Sequence, residues 1–152
     1  MPEIDTALVQ RVRSFNRAVT ERIGALDDRF LGRDRPLGEA RLLWEIAGDE
    51  PEVRQLRARL GLDSAYLSRL LRSLEKQGLV RVRESPRDGR VRRVRLSRAG
   101  RTERKVLDKL SDDLARSLLE PLSKNQRARL AAAMAEVERL LVASLATADP
   151  AT

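Results

Sequence analysis

Two short helical stretches joined by a glycine turn, an Arg-rich hairpin directly after them, and long amphipathic segments at both ends of the chain predict a mainly α fold with a small β-hairpin. In that order the elements make a winged helix-turn-helix with N- and C-terminal dimerisation helices. The expected division is an N-terminal dimerisation helix over 1–36, the winged helix-turn-helix over 37–100, C-terminal dimerisation helices over 101–147 and a tail over 148–152.

Each element has its own signal. From 4 to 30, Leu8, Val12, Phe15, Val19, Ile23, Leu26 and Phe30 recur in steps of three and four, one face of a long helix. Gly32 and Pro36 punctuate its end. A second helix is expected over 37–47, around Leu42, Leu43, Trp44 and Ile46, followed by a turn at Gly48 and Asp49. The third, over 51–60, takes Pro51 at its first position, where a missing N–H costs nothing. It turns Val53, Leu56 and Leu60 inward and stops at Gly61. Asp63 caps the fourth helix, 64–77, whose stripe is Leu67, Leu70, Leu71 and Leu74 and which Gly78 terminates. Residues 79–84 and 91–96 alternate apolar and polar like half-buried strands, and Asp88-Gly89 signals the turn between them. Ser97 caps the next helix, with Leu107, Leu110, Leu114 and Leu118; Pro121 and Ser123 introduce the last, with Leu130, Met134, Val137, Leu141 and Leu145. The chain from 146 onward is expected to fray.

Composition prunes the functions. Neither Cys nor His occurs, which removes disulfides, thiol switches, zinc–thiolate sites, imidazole general bases and nucleophilic triads. An enzyme is not expected, nor a metal or other cofactor. Apolar runs fall far short of a membrane span, and the start, Met1-Pro2-Glu3-Ile4-Asp5, has no signal-peptide pattern, so a cytoplasmic location and no membrane partner are expected. The formal net charge is +8, and residues 81–104 alone hold ten Arg against three acidic residues, a local +7. Concentrated charge of this kind suits a polyanionic partner, here double-stranded DNA. The apolar faces at both chain ends would be left over once the winged helix has closed its own core; they either pack within one chain or, in the preferred reading, are buried in a homodimer.

The run over 60–80, with Leu60-Gly61-Leu62-Asp63, Leu67-Ser68-Arg69-Leu70 and Glu75-Lys76-Gln77-Gly78-Leu79-Val80, followed by Asp88-Gly89-Arg90 and Leu96-Ser97-Arg98-Ala99-Gly100, resembles the multiple-antibiotic-resistance regulator (MarR) family. The wing matches the family's Asp-x-Arg, strand, Leu-Thr-x-x-Gly signature, with Gly89 where Arg is common and Ser97 in place of Thr. The stretches Arg13-Ser14-Phe15-Asn16-Arg17 and Arg41-Leu42-Leu43-Trp44-Glu45-Ile46 are most similar to the regulator half of MarR–acetyltransferase fusions. The resemblance implies an intertwined dimer, a palindromic operator and repression relieved by a small-molecule ligand. Without Cys and His, the family's thiol-oxidation and His–zinc sensing modes are excluded.

It also places Ser64, Tyr66, Ser68 and Arg69 at major-groove contacts, where Arg bonds guanine bidentately and Ser reads base edges or phosphate. Tyr66 could equally pack beside Leu70. Arg72 suits a phosphate, and in the wing Arg90 and Arg87 suit the minor groove or backbone. Asp88 is expected to fix the hairpin; Arg92, Arg93 and Arg95 balance the local field or brace it. Phe15 and Trp44 line either an effector pocket or the core, and Arg17, Arg22 and Arg41 either anchor an anionic effector or form surface ion pairs. The leading expectation is a sequence-specific repressor. A non-specific architectural DNA-binding protein and a stand-alone regulatory module of an acetyltransferase are the alternatives.

Overall fold

A computed structural model describes residues 3–24, 30–46, 48 and 50–148, excluding the side chains of residue 30 and of 144–148. Helix α1 (Thr6–Ile23) starts at Asp5, whose carboxylate accepts the Ala7 N–H at 2.9 Å. It stops at Gly24, which takes a left-handed φ of 67°. The apolar steps predicted helix to residue 30, but a glycine in this conformation satisfies the last carbonyls and turns the chain away. A 3₁₀ turn (Phe30–Gly32) follows, with Leu31 at φ 56°. Leu26, Ala47 and Asp49 lie outside the described residues, as does the Leu145 side chain.

Helix α2 (Leu37–Glu45) ends two residues before the predicted limit, where Ile46 becomes extended. Helix α3 (Val53–Leu60) begins later than expected. Pro51 is not its first residue, for Glu52 is the N-cap and its N–H donates to Gln55 Oε1 at 2.9 Å. Pro51 instead offers its carbonyl to the Val94 N–H at 3.0 Å, and Glu52 bridges Arg93. Proline cannot donate to a ladder, but it can accept at its edge.

Gly61, in the left-handed conformation, closes α3, and Asp63 opens α4 (Ser64–Lys76) by accepting the Tyr66 N–H at 2.9 Å. The predicted stripe of Leu67, Leu70, Leu71 and Leu74 is buried in full. Strands β1 (Val80–Glu84) and β2 (Arg92–Leu96) pair antiparallel, Val80 opposite Leu96 and Val82 opposite Val94. These join α2, α3, α4 and Leu107 of α5 (Arg98–Leu119) in one core centred on Leu42, Leu43, Leu56, Leu74 and Val94.

The chain divides into two compact units, residues 1–111 and 112–152. In the second, Ser123 and Gln126 cap the start of α6 (Lys124–Ala148) reciprocally, at 2.9 and 3.2 Å. The helix continues to Ala148, past the point where fraying was expected, and 149–152 lie outside the described residues. Both α1 and α6 present apolar side chains to solvent in the single chain: Leu8 is 56% exposed, Val12 52%, Met134 57% and Leu141 59%. No helix among the described residues is long and apolar enough to cross a membrane.

Candidate nucleic-acid interface

With about 100° between successive residues, the buried leucines of α4 occupy one side and leave a broad outer arc. Ser64 and Ser68 lie at the edge facing the wing, Arg72 and Arg69 are exposed on the crest, and Tyr66 lies on the opposite flank. The Tyr66 ring packs towards α2, so close that a Cβ at Gly38 would stand 2.6 Å from its hydroxyl. The Arg69 guanidinium lies 5.7 Å from the Tyr66 ring centroid, a cation–π contact that limits where its head group can swing.

Between α3, the start of α4 and the wing runs a groove of about 370 Å³. It brings Ser64 and Ser68 together with Arg90, three residues that sequence reasoning had assigned to one function from two separate elements. Arg54 and Arg57 of α3, to which the sequence assigns no role, line it too, as does Arg92 of β2, expected only to balance the local field or brace the hairpin. The signal for the first two was present: the inward stripe of Val53, Leu56 and Leu60 leaves 54 and 57 on the outer side. Arg54 pairs with Glu52.

The wing tip is built by Asp88. Its Oδ1 accepts the Arg90 N–H at 3.0 Å and its carbonyl accepts the Val91 N–H at 3.0 Å. Gly89 is not among the glycines of positive φ, so the turn relies on the Asp88 side chain rather than on glycine's conformational freedom. Arg87 and Arg90 are exposed on either side of it. Arg93 donates to the Glu50 carbonyl at 3.2 Å and lies 3.7 Å from the Glu52 carboxylate, while Arg95 lies 3.8 Å from that of Glu50.

Residues 32–91 match the family model described as MarR family. Over that stretch the chain is similar to the MarR family, and together with β2 it makes a winged helix-turn-helix. The uncharacterized HTH-type transcriptional regulator YdgJ of Bacillus subtilis is 32% identical over 79 residues, 52% of this chain and 48% of that protein; the match thus spans about half of the relative's length. Among solved structures, FabT of Streptococcus pneumoniae, in complex with DNA, superposes with a TM-score of 0.70 at 16% identity, covering 88% of this chain and 96% of that one. Apo MarR of E. coli gives a TM-score of 0.71 at 21% identity, covering 90% and 98%.

The MarR wing signature has a mechanical basis in this domain. Ser97 Oγ donates to the Gly78 carbonyl at 2.5 Å and accepts the Gly100 N–H at 3.0 Å, and the Ser97 N–H donates to the Leu79 carbonyl at 3.0 Å. One hydroxyl thereby caps α5 and fastens the end of α4. At Gly100 a Cβ would stand 2.0 Å from the Leu79 carbonyl oxygen, so only glycine fits.

The five residues considered for an effector are not gathered in one place. Arg41 lines a small pocket of about 230 Å³ with Tyr66, and Trp44 donates its indole N–H to Asp108 at 2.7 Å. Arg17, Arg22 and Phe15 are exposed on α1, Phe15 by 47%.

Proposed function

We propose that this chain is a sequence-specific transcriptional regulator that binds duplex DNA as a homodimer, and that it represses from a palindromic operator until a small molecule releases it. The observation that carries the reading is the groove uniting Ser64 and Ser68 of α4 with Arg90 of the wing, because a helix for the major groove and a basic tip beside it are what a winged helix offers DNA. Ser64, Ser68 and Arg69 are assigned to base edges and Arg72 to phosphate, with Tyr66 holding Arg69 in place. Arg87 and Arg90 reach the minor groove or backbone. FabT, of like fold, is in complex with DNA. The uncovered apolar faces of α1 and α6 support the homodimer, which would set two α4 helices about 34 Å apart, one DNA turn.

The test is binding of the purified chain to duplex from the region upstream of its own coding sequence, in competition with random duplex at physiological salt. Cognate binding at least ~10³-fold tighter, with a two-fold symmetric footprint, is the expected result. Equal affinity for both duplexes would replace this reading with architectural binding.

A further inference from the structure

A second, larger cavity of about 700 Å³ lies against the root of the wing and the start of α5, and it shares no lining residue with the groove described above. The β1–β2 register sets Arg81 opposite Arg95 and Arg83 opposite Arg93, so alternation puts four guanidinium side chains on the face away from Val82 and Val94. Like charges directly opposite on a sheet repel one another. Glu52 and Glu50 answer Arg93 and Arg95. Among the described residues no carboxylate answers Arg81, which the cavity brings together with Arg98, Arg101 and Lys105.

Asp108, also on the cavity wall, accepts the Trp44 indole N–H. Arg101 and Arg104 donate to the carbonyls of Leu96 and Ile46, both at 3.3 Å, contacts that aim the head groups without neutralising them. Ser97 and Arg98 open a 22-residue helix, whose N-terminal partial positive charge adds to the field. The volume is that of a small-molecule site, and concavity suits a compact ligand better than a duplex.

We propose that this cavity binds a small polyanion carrying at least two phosphate- or carboxylate-type groups, held between Arg81 of the wing and Arg98, Arg101 and Lys105 of α5. A single monovalent anion would leave most of the clustered charge uncompensated. Ser97, on the cavity wall, is also the residue that fastens the end of α4. That a bound polyanion changes DNA affinity rests on the regulator reading above; the binding itself does not.

The experiment is calorimetric titration of the full chain, without DNA and at fixed ionic strength, using inorganic tripolyphosphate, with citrate in parallel to separate phosphate from carboxylate recognition. The expected result is saturable binding of one anion per chain, weakened about tenfold by Arg81→Ala and by Arg98→Ala and unchanged by Arg90→Ala. Melting curves establish that the variants, altered only at exposed positions, remain folded. Stoichiometry well above one, or equal weakening by Arg90→Ala, would overturn the proposal in favour of diffuse attraction. No binding of either anion would also overturn it, and loss of duplex binding in Arg98→Ala alongside that result would mark the surface as a DNA contact.

Discussion

Glu103, in the second turn of α5, accepts hydrogen bonds from Nε and Nη2 of Arg33, at 2.8 and 2.6 Å, across 70 residues of chain. Buried Arg35 lies beside the pair, its Nε 3.3 Å from Glu103 and its Nη1 3.3 Å from Glu39. Glu39 in turn accepts from Gln77 and Ser73 of the α4 end, at 2.9 and 3.2 Å. One polar network therefore ties the segment before α2 to both α4 and α5.

Acid should loosen this tie. The Arg33 hydrogen bonds, with the charge of Arg35 assisting and burial opposing, hold the Glu103 carboxyl below the usual carboxylate range. A pKa lowered by folding gives stability that is complete above the unfolded value, about 4.3, and is lost as pH falls through the folded one. Melting temperature should drop over that interval, and Glu103→Gln should flatten this part of the pH profile. An unchanged slope in the variant would assign the acid sensitivity to other groups.

Gly100→Ala should cost about 1–3 kcal/mol or more, because the new Cβ meets backbone rather than a movable side chain. Gly89→Ala, whose Cβ would meet only Glu84 Oε2 at 3.7 Å, should be close to neutral. Urea denaturation of both variants separates steric exclusion at the first position from a general glycine effect.

The two elements proposed to face DNA should fail differently. Arg69→Ala should cost about 1–3 kcal/mol and relax preference at one base pair per half-site. Arg90→Ala should weaken cognate and random duplex more evenly. Competition binding with single-base operator variants distinguishes them, and equal, sequence-blind losses would contradict the division of labour.

Charge on the α1 face should separate the protomers of the proposed homodimer. Val12→Asp, at an apolar position 52% exposed in the single chain, is expected to shift sedimentation from dimer to monomer and weaken operator binding with it. A dimer that survives Val12→Asp would place the interface elsewhere.

Apolar periodicity made α4 legible in detail, since its four leucines repeat and Asp63 and Gly78 bracket them. The same rule misled at α1, where Leu26 and Phe30 prolonged the repeat past Gly24. The step pattern weighs side chains, whereas the helix end was decided by backbone conformation. Ser64, Ser68 and Arg90 could be assigned because each belongs to a recognisable element. Arg54 and Arg57 were passed over because α3 was read for what it buries. The network of Arg33, Arg35, Glu39 and Glu103 leaves no periodic trace: its partners are polar and distant in sequence, and only the folded chain brings them together.

The Ser97 hydroxyl carries an implication for how such a protein can diversify. By fastening α4 to α5 at the root of the hairpin, it makes the direction of α4 independent of whatever the seven residues between the strands happen to be. The tip can be lengthened, recharged or exchanged as a separate part, and the helix it serves keeps its aim.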